Sequence, residues 1–159
     1  MARDSIREQL RRNAVAIISL VIAITSLGYN TWRNEYSEYN RNQRWASFNI
    51  LLKLGELQEL VFLNHYDCNM EWRGNVRTGW VVVQTIEDLT LVLDDSVDDA
   101  GRLKAVWAAN FSGIEYATEA ECRERSAERR QRGEQAQSRI RDAITDLREE
   151  VLVIISELD

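Results

Sequence analysis

The chain contains no proline, one histidine and two cysteines, and of its twenty basic residues only Lys53 and Lys104 are lysine. Each scarcity removes a class of explanation. Without proline, no ring clash or missing N–H forces a break in a helix. With a single histidine and no C-x-x-C or H-x-x-x-H pair, the usual zinc ligand sets cannot be assembled. His65, Asp67, Cys68 and Glu71, with Glu119, Glu121 and Cys122 elsewhere, therefore read as ordinary polar residues at helix ends. Seven glycines are spread without a phosphate-binding loop pattern. The preference for Arg over Lys reads as coding bias, as in a GC-rich bacterium.

Charge is equally restrictive. Residues 1–12 carry four Arg against Asp4 and Glu8, a net +2, which leaves –8 for the rest of a chain whose total is –6. A nucleic-acid binder needs a basic patch; this body is acidic, so no nucleic-acid partner is expected. No Ser-His-Asp set and no defensible pair of catalytic carboxylates is visible. The chain is read as a non-enzyme with no catalytic residue, no metal and no cofactor.

What is present in quantity is helix-forming sequence, and the fold class expected is all-α. Between Arg12 and Arg33 lie twenty residues without a charge, NAVAIISLVIAITSLGYNTW. At 1.5 Å per residue these match a hydrocarbon core of about 30 Å. Tyr29 and Trp32 stand at the far end, where amphipathic rings favour the headgroup level. A cleaved signal peptide is the rival reading, with Ser26-Leu27-Gly28 as the cleavage site. The length of the uncharged run favours a retained anchor. The expected organisation is a short basic cytoplasmic tail (1–12), a transmembrane helix (13–32) and a helical-bundle body (33–159). Arg3, Arg7, Arg11 and Arg12 before the span outnumber Arg33, Arg41 and Arg44 after it, a weak bias toward a cytoplasmic N-terminus. That orientation puts the body in the periplasm of a bacterial inner membrane. Within the span, Ala16, Ser19, Ala23, Ser26 and Asn30 recur at 3–4 spacing and form a stripe through which helices can approach closely in lipid.

The body reads as about four helices in an antiparallel, up-down bundle that continues from the anchor. A 3–4 alternation through Tyr36, Tyr39, Gln43, Ala46, Ile50, Leu54, Leu57 and Val61 extends the first helix to about Asp67. Cys68 to Asn75 is expected to be a loop. A second helix covers roughly Val76 to Leu93, with Val82, Ile86, Leu89 and Leu93 facing the core. Ser96 and Asp99 form a capping-box-like start for a third, which continues through Leu103, Val106, Trp107, Asn110 and Ile114. Asp94, Asp95, Asp98 and Asp99 lack calcium-loop spacing and read as a turn and cap. The segment Glu115–Gly133 is crowded with Glu and Arg, and Gly133 is its expected break point. The last helix carries the seam Ile140, Ile144, Leu147, Val151, Ile154 and Leu158 at 4, 3, 4, 3, 4 spacing. Leu152, Val153 and Ile155 widen its apolar surface toward a partner.

Cys68 and Cys122 fall toward one end of such a bundle and form a candidate disulfide, permitted outside the cytoplasm. Trp45, Trp72, Trp80 and Trp107 are expected to pack in the core or loops, with an aromatic pocket near Trp72 and Trp80 as a lesser alternative. The function expected is that of a single-pass, membrane-anchored accessory or scaffold subunit of a membrane complex. Its partners would be the lipid bilayer and either another membrane protein or a second copy, engaged through the anchor and the C-terminal helix. The alternative is an extracytoplasmic ligand-binding or envelope-stress sensor that signals through a partner.

Overall fold

The computed structural model of the chain describes residues 11–69, 76–93 and 97–158, and among these all regular structure is helical. Five helices follow in order: α1 (Ala14–Tyr66), α2 (Val76–Thr90), α3 (Val97–Ile114), α4 (Glu119–Arg123) and α5 (Ala127–Glu157). The chain divides into two units, one ending at Arg41 and the other beginning at Asn42.

In the first unit the uncharged run of α1 is predominantly apolar. Val15, Ile18, Leu20, Val21, Ile22, Ile24 and Leu27 are all exposed, and this is the one described helix long and apolar enough to cross a membrane. Thr25 and Thr31 donate their hydroxyls to the carbonyls of Val21 and Leu27, four residues back. These bonds pair both threonine hydroxyls of the run with the helix's own backbone. Tyr29, Trp32 and Tyr36 follow one another at ring-centroid distances of 6.1 and 6.2 Å.

The second unit is built on one core. Ala46, Ile50, Leu54, Leu57 and Val61 of α1 meet Val83 and Ile86 of α2, Leu103 and Trp107 of α3, and Ile140, Ile144, Leu147 and Val151 of α5. Burying a side chain of this size contributes about 1.5–3 kcal/mol. The pairing of chain directions is visible in individual contacts. Arg44 donates to the carbonyl of Leu158, while Arg148 donates to Gln58, so α1 and α5 run opposite ways. Arg102 pairs with Asp146, and a Cβ on Gly113 would meet that of Ala136, which sets α3 opposite α5. Lys104 bonds Gln84 and Glu87 while Trp80 meets Phe111, which does the same for α2 and α3.

The buried face of α1 begins at Gln43, later than the periodicity suggests. Tyr36 and Tyr39 continue the 3–4 spacing but are exposed. At that point Arg44 donates to the carbonyl of Leu158, the cap residue of α5. The Glu- and Arg-rich segment is a helix-to-helix transition, and its break is at Ser126, not at Gly133. Thr118 caps α4 by accepting from the Glu121 N–H, and Ser126 caps α5 by accepting from the Arg129 N–H. Arg129 then reaches back to the carbonyls of Ser112 and Glu115 at the end of α3, where a cation satisfies open acceptors. Gly133 is instead buried inside α5, because a Cβ there would sit 3.2 Å from the Tyr116 hydroxyl and 3.4 Å from His65 Cε1. Gly79 serves the same purpose in α2, where an added Cβ would fall 2.2 Å from the Trp107 ring.

Candidate interaction surfaces

Cys68 and Cys122 are joined, with a Cα–Cα distance of 5.6 Å across a sequence separation of 54. The helix ends supply the geometry. α1 stops at Tyr66, two residues before Cys68, and Cys122 is the buried residue of the short α4. The Tyr116 ring is met by two guanidinium groups, Arg125 at 5.1 Å and Arg129 at 5.2 Å. Such stacking is favourable where the cations are partly desolvated. Arg125 also donates to the Tyr116 hydroxyl and to the backbone carbonyl of His65. The His65 side chain is 5% exposed and its Nδ1 finds no partner among the described residues. Burial first, and the Arg125 charge second, lower its pKa below the ordinary 6.5, while Glu134 pulls the other way. This cluster was not legible in the sequence, since its members come from three separate segments.

Among the described residues no group of three or more His, Cys, Asp or Glu side chains is close enough to hold a metal ion. Asp94, Asp95, Ser96, Glu71 and Trp72 lie outside the described residues, so the cap and the pocket expected around them are not located. Asp98 and Asp99 do stand in the first turn of α3, and Asp99 pairs with Arg102 at 2.7 Å.

The anchor stripe of Ala16, Ser19, Ala23, Ser26 and Asn30 is exposed along α1. Of the C-terminal seam, Ile140, Ile144, Leu147 and Val151 are fully buried in the core, while Ile154 and Leu158 are half-buried. The seam is therefore largely consumed inside the chain and is not free for a partner. Leu152 and Val153, beside it, remain exposed.

The tryptophans separate into two kinds. Trp107 is fully buried and Trp80 packs edge-on against Phe111 at 5.6 Å. Trp45 is not core: it is 61% exposed, on the side of α1 away from Ala46, Ile50 and Leu54. It heads a second stripe on that helix, with Phe48 at 55%, Leu52 at 67%, Phe62 at 57% and Tyr66 at 58% exposure. Gly55 lies within this stripe, and a Cβ built on it meets nothing within 4 Å. The 3–4 spacing of these residues was available in the sequence, but it competes with the parallel run of Gln43, Ala46, Ile50 and Leu54, and spacing alone does not say which run is covered. Near the end of the stripe, a groove of about 230 Å³ opens between α1 and α5. Val61 and Ile144 floor it, and Phe62, Tyr66, Gln137 and Arg141 surround it.

Comparison with protein-family models, with curated proteins and with solved structures finds no match for this chain, so its function must be read from its own residues.

Proposed function

We propose that the chain is a single-pass membrane protein whose helical body serves as an accessory or scaffold subunit of a membrane complex. The observation that carries this reading is the uncharged run of α1, whose large apolar side chains are all exposed. A helix that is apolar all round needs an apolar solvent or a complete protein jacket. In water, each of these side chains would forgo about 1.5–3 kcal/mol of burial. The four long helices read as an antiparallel up-down bundle, a shape suited to presenting surfaces and not to enclosing a reaction. The exposed stripe of Trp45, Phe48, Leu52, Phe62 and Tyr66 offers a contact surface of the kind a scaffold uses.

The orientation in this reading is N-terminus in the cytoplasm and body in the periplasm of a bacterial inner membrane. The Arg balance around the span and the Cys68–Cys122 bridge both favour it, since disulfides persist in oxidising compartments. A second reading, a ligand-binding or stress-sensing module acting through a partner, draws on the groove beside Arg141, whose floor is apolar and whose rim is cationic. The groove is smaller than the ~300–1,000 Å³ of typical ligand sites, so the scaffold reading is preferred.

The test is thiol labelling of intact cells with a membrane-impermeant reagent, with and without reduction, beside fractionation of the membranes. The expected result is a chain released from membranes only by detergent and labelled only after reduction. Labelling confined to lysed cells, with no reductant needed, would place the body in the cytoplasm.

A further inference from the structure

We infer that the outward stripe of α1 is a seam for a second copy of this chain, paired in parallel within the same membrane. The inference rests on the anchored reading above and names the partner. Anchors of one chain insert the same way round, so two copies meet parallel and each residue faces its own counterpart. A stripe that repeats at 3–4 spacing is then complementary to itself, as in a parallel two-helix coil.

Three observations point to a second copy. The first is continuity of phase in the sequence. Ala16, Ser19, Ala23, Ser26 and Asn30 each stand 36 residues before Leu52, Gly55, Glu59, Phe62 and Tyr66. Ten turns of a helix with about 3.6 residues per turn take that same length. In the sequence the two sets thus share one phase of the helical period, the body set holding Leu52, Phe62 and Tyr66 with Gly55 and Glu59 between them. Small side chains suit helix pairing in lipid, where close backbone approach provides the contact. Large apolar ones suit it in water, where burial does.

The second observation is area. Aromatic side chains bury about 150–250 Å² each when fully covered. Five large side chains that are already partly covered offer roughly 500–700 Å² per copy, against about 800 Å² per partner in a standard interface. Confinement to one membrane raises the effective concentration and offsets the shortfall.

The third is the free face itself. The residues that make the body's own core on α1, from Gln43 to His65, all lie on the other side of the helix. The stripe can therefore be covered without unpacking anything, and Gly55 leaves a shallow point along it.

Glu59 supplies the discriminating signature. Within the body part of the stripe, from Trp45 to Tyr66, it is the single charged position, with Arg41 eighteen residues earlier on the same phase, and self-pairing brings it against its own counterpart, which costs stability and fixes register. A different partner protein would instead meet Glu59 with a cation or a polar group.

The experiment uses the full chain in native membrane vesicles. Cysteines are introduced one at a time as Phe48→Cys, Leu52→Cys and, for comparison, Arg139→Cys on α5, and are treated with a short thiol-specific crosslinker. The native cysteines are bonded to each other and do not react. Crosslinked dimers at Phe48→Cys and Leu52→Cys but not at Arg139→Cys are expected. Trp45→Ala with Leu52→Ala should weaken dimer formation, read by mass in detergent, by about tenfold or more, and Glu59→Leu should strengthen it. A membrane-bound chain that stays monomeric, or that crosslinks only into adducts with another protein, overturns this inference and leaves the anchored reading intact. A chain recovered without detergent in the soluble fraction overturns both. Weakening by Glu59→Leu overturns self-pairing in favour of a partner that recognises the carboxylate.

Discussion

The two halves of α1 share one backbone and differ in what surrounds them. From Ala14 to Arg41 the side chains are almost all exposed, although the first twenty or so are the most apolar in the chain. From Gln43 to His65 one face is buried and the other bare, although the segment holds Gln43, Ser47, Asn64 and His65 among its buried residues. Exposure therefore does not follow hydrophobicity along this helix. In the second half, Asn64 has a local acceptor, donating to the Leu60 carbonyl at 2.8 Å, whereas Ser47 Oγ and His65 Nδ1 are buried with no hydrogen-bond partner among the described residues. In the first half, the apolar groups are exposed, which the proposed anchor reading explains by an apolar solvent.

The sharpest way to break this comparison is to truncate one leucine from each half. Leu54→Ala removes a fully buried side chain and should cost the body about 2–5 kcal/mol. Leu20→Ala removes an exposed one and should leave the body's unfolding transition within about 0.5 kcal/mol of the parent. Chemical denaturation in detergent followed by tryptophan fluorescence measures both. Equal losses would mean that the first half of α1 is buried by protein.

A smaller effect sharpens the contrast between covered and bare faces at glycine. Gly79→Ala drives a methyl into the Trp107 ring and should destabilise by about 1–3 kcal/mol. Gly101→Ala, on an exposed turn of α3 with nothing within 4 Å, should stabilise by up to about 1 kcal/mol through helix propensity. The same unfolding measurement separates them by sign.

The smallest effect concerns His65, at the covered end of α1. Its folded pKa lies below the ordinary 6.5 because burial and Arg125 disfavour the charged ring. The unfolded chain therefore binds the proton more readily. The stability that His65 contributes is complete above 6.5 and is lost as pH falls through that value toward the lowered folded one. Unfolding measured between about pH 8 and about pH 5 should show this slope in the parent and a flatter one in His65→Gln. An unchanged slope in the variant would assign the pH dependence to carboxylates.

Much of the architecture was legible because its signals are local. Twenty uncharged residues define the apolar run of α1, and the 4, 3, 4, 3, 4 spacing from Ile140 to Leu158 marks α5. The failures share one cause. Tyr36 and Tyr39 keep the period of Gln43 and Ala46 but are exposed, and no local signal encodes where along a periodic helix burial begins. Gly133 looked like a break because glycine disfavours helix. It is kept inside α5 by the close approach of Tyr116 and His65, residues 17 and 68 positions away.

By itself, then, the sequence determined the helical class, the apolar segment and the helix periods, since these depend on composition and on spacings of three or four residues. Tertiary structure alone decided which of the two α1 stripes is covered, that Trp45 is exposed while Trp107 is buried, and that Arg125 and Arg129 both meet the Tyr116 ring. Those choices depend on the order and length of the neighbouring helices, and a residue carries no local record of what lies across from it.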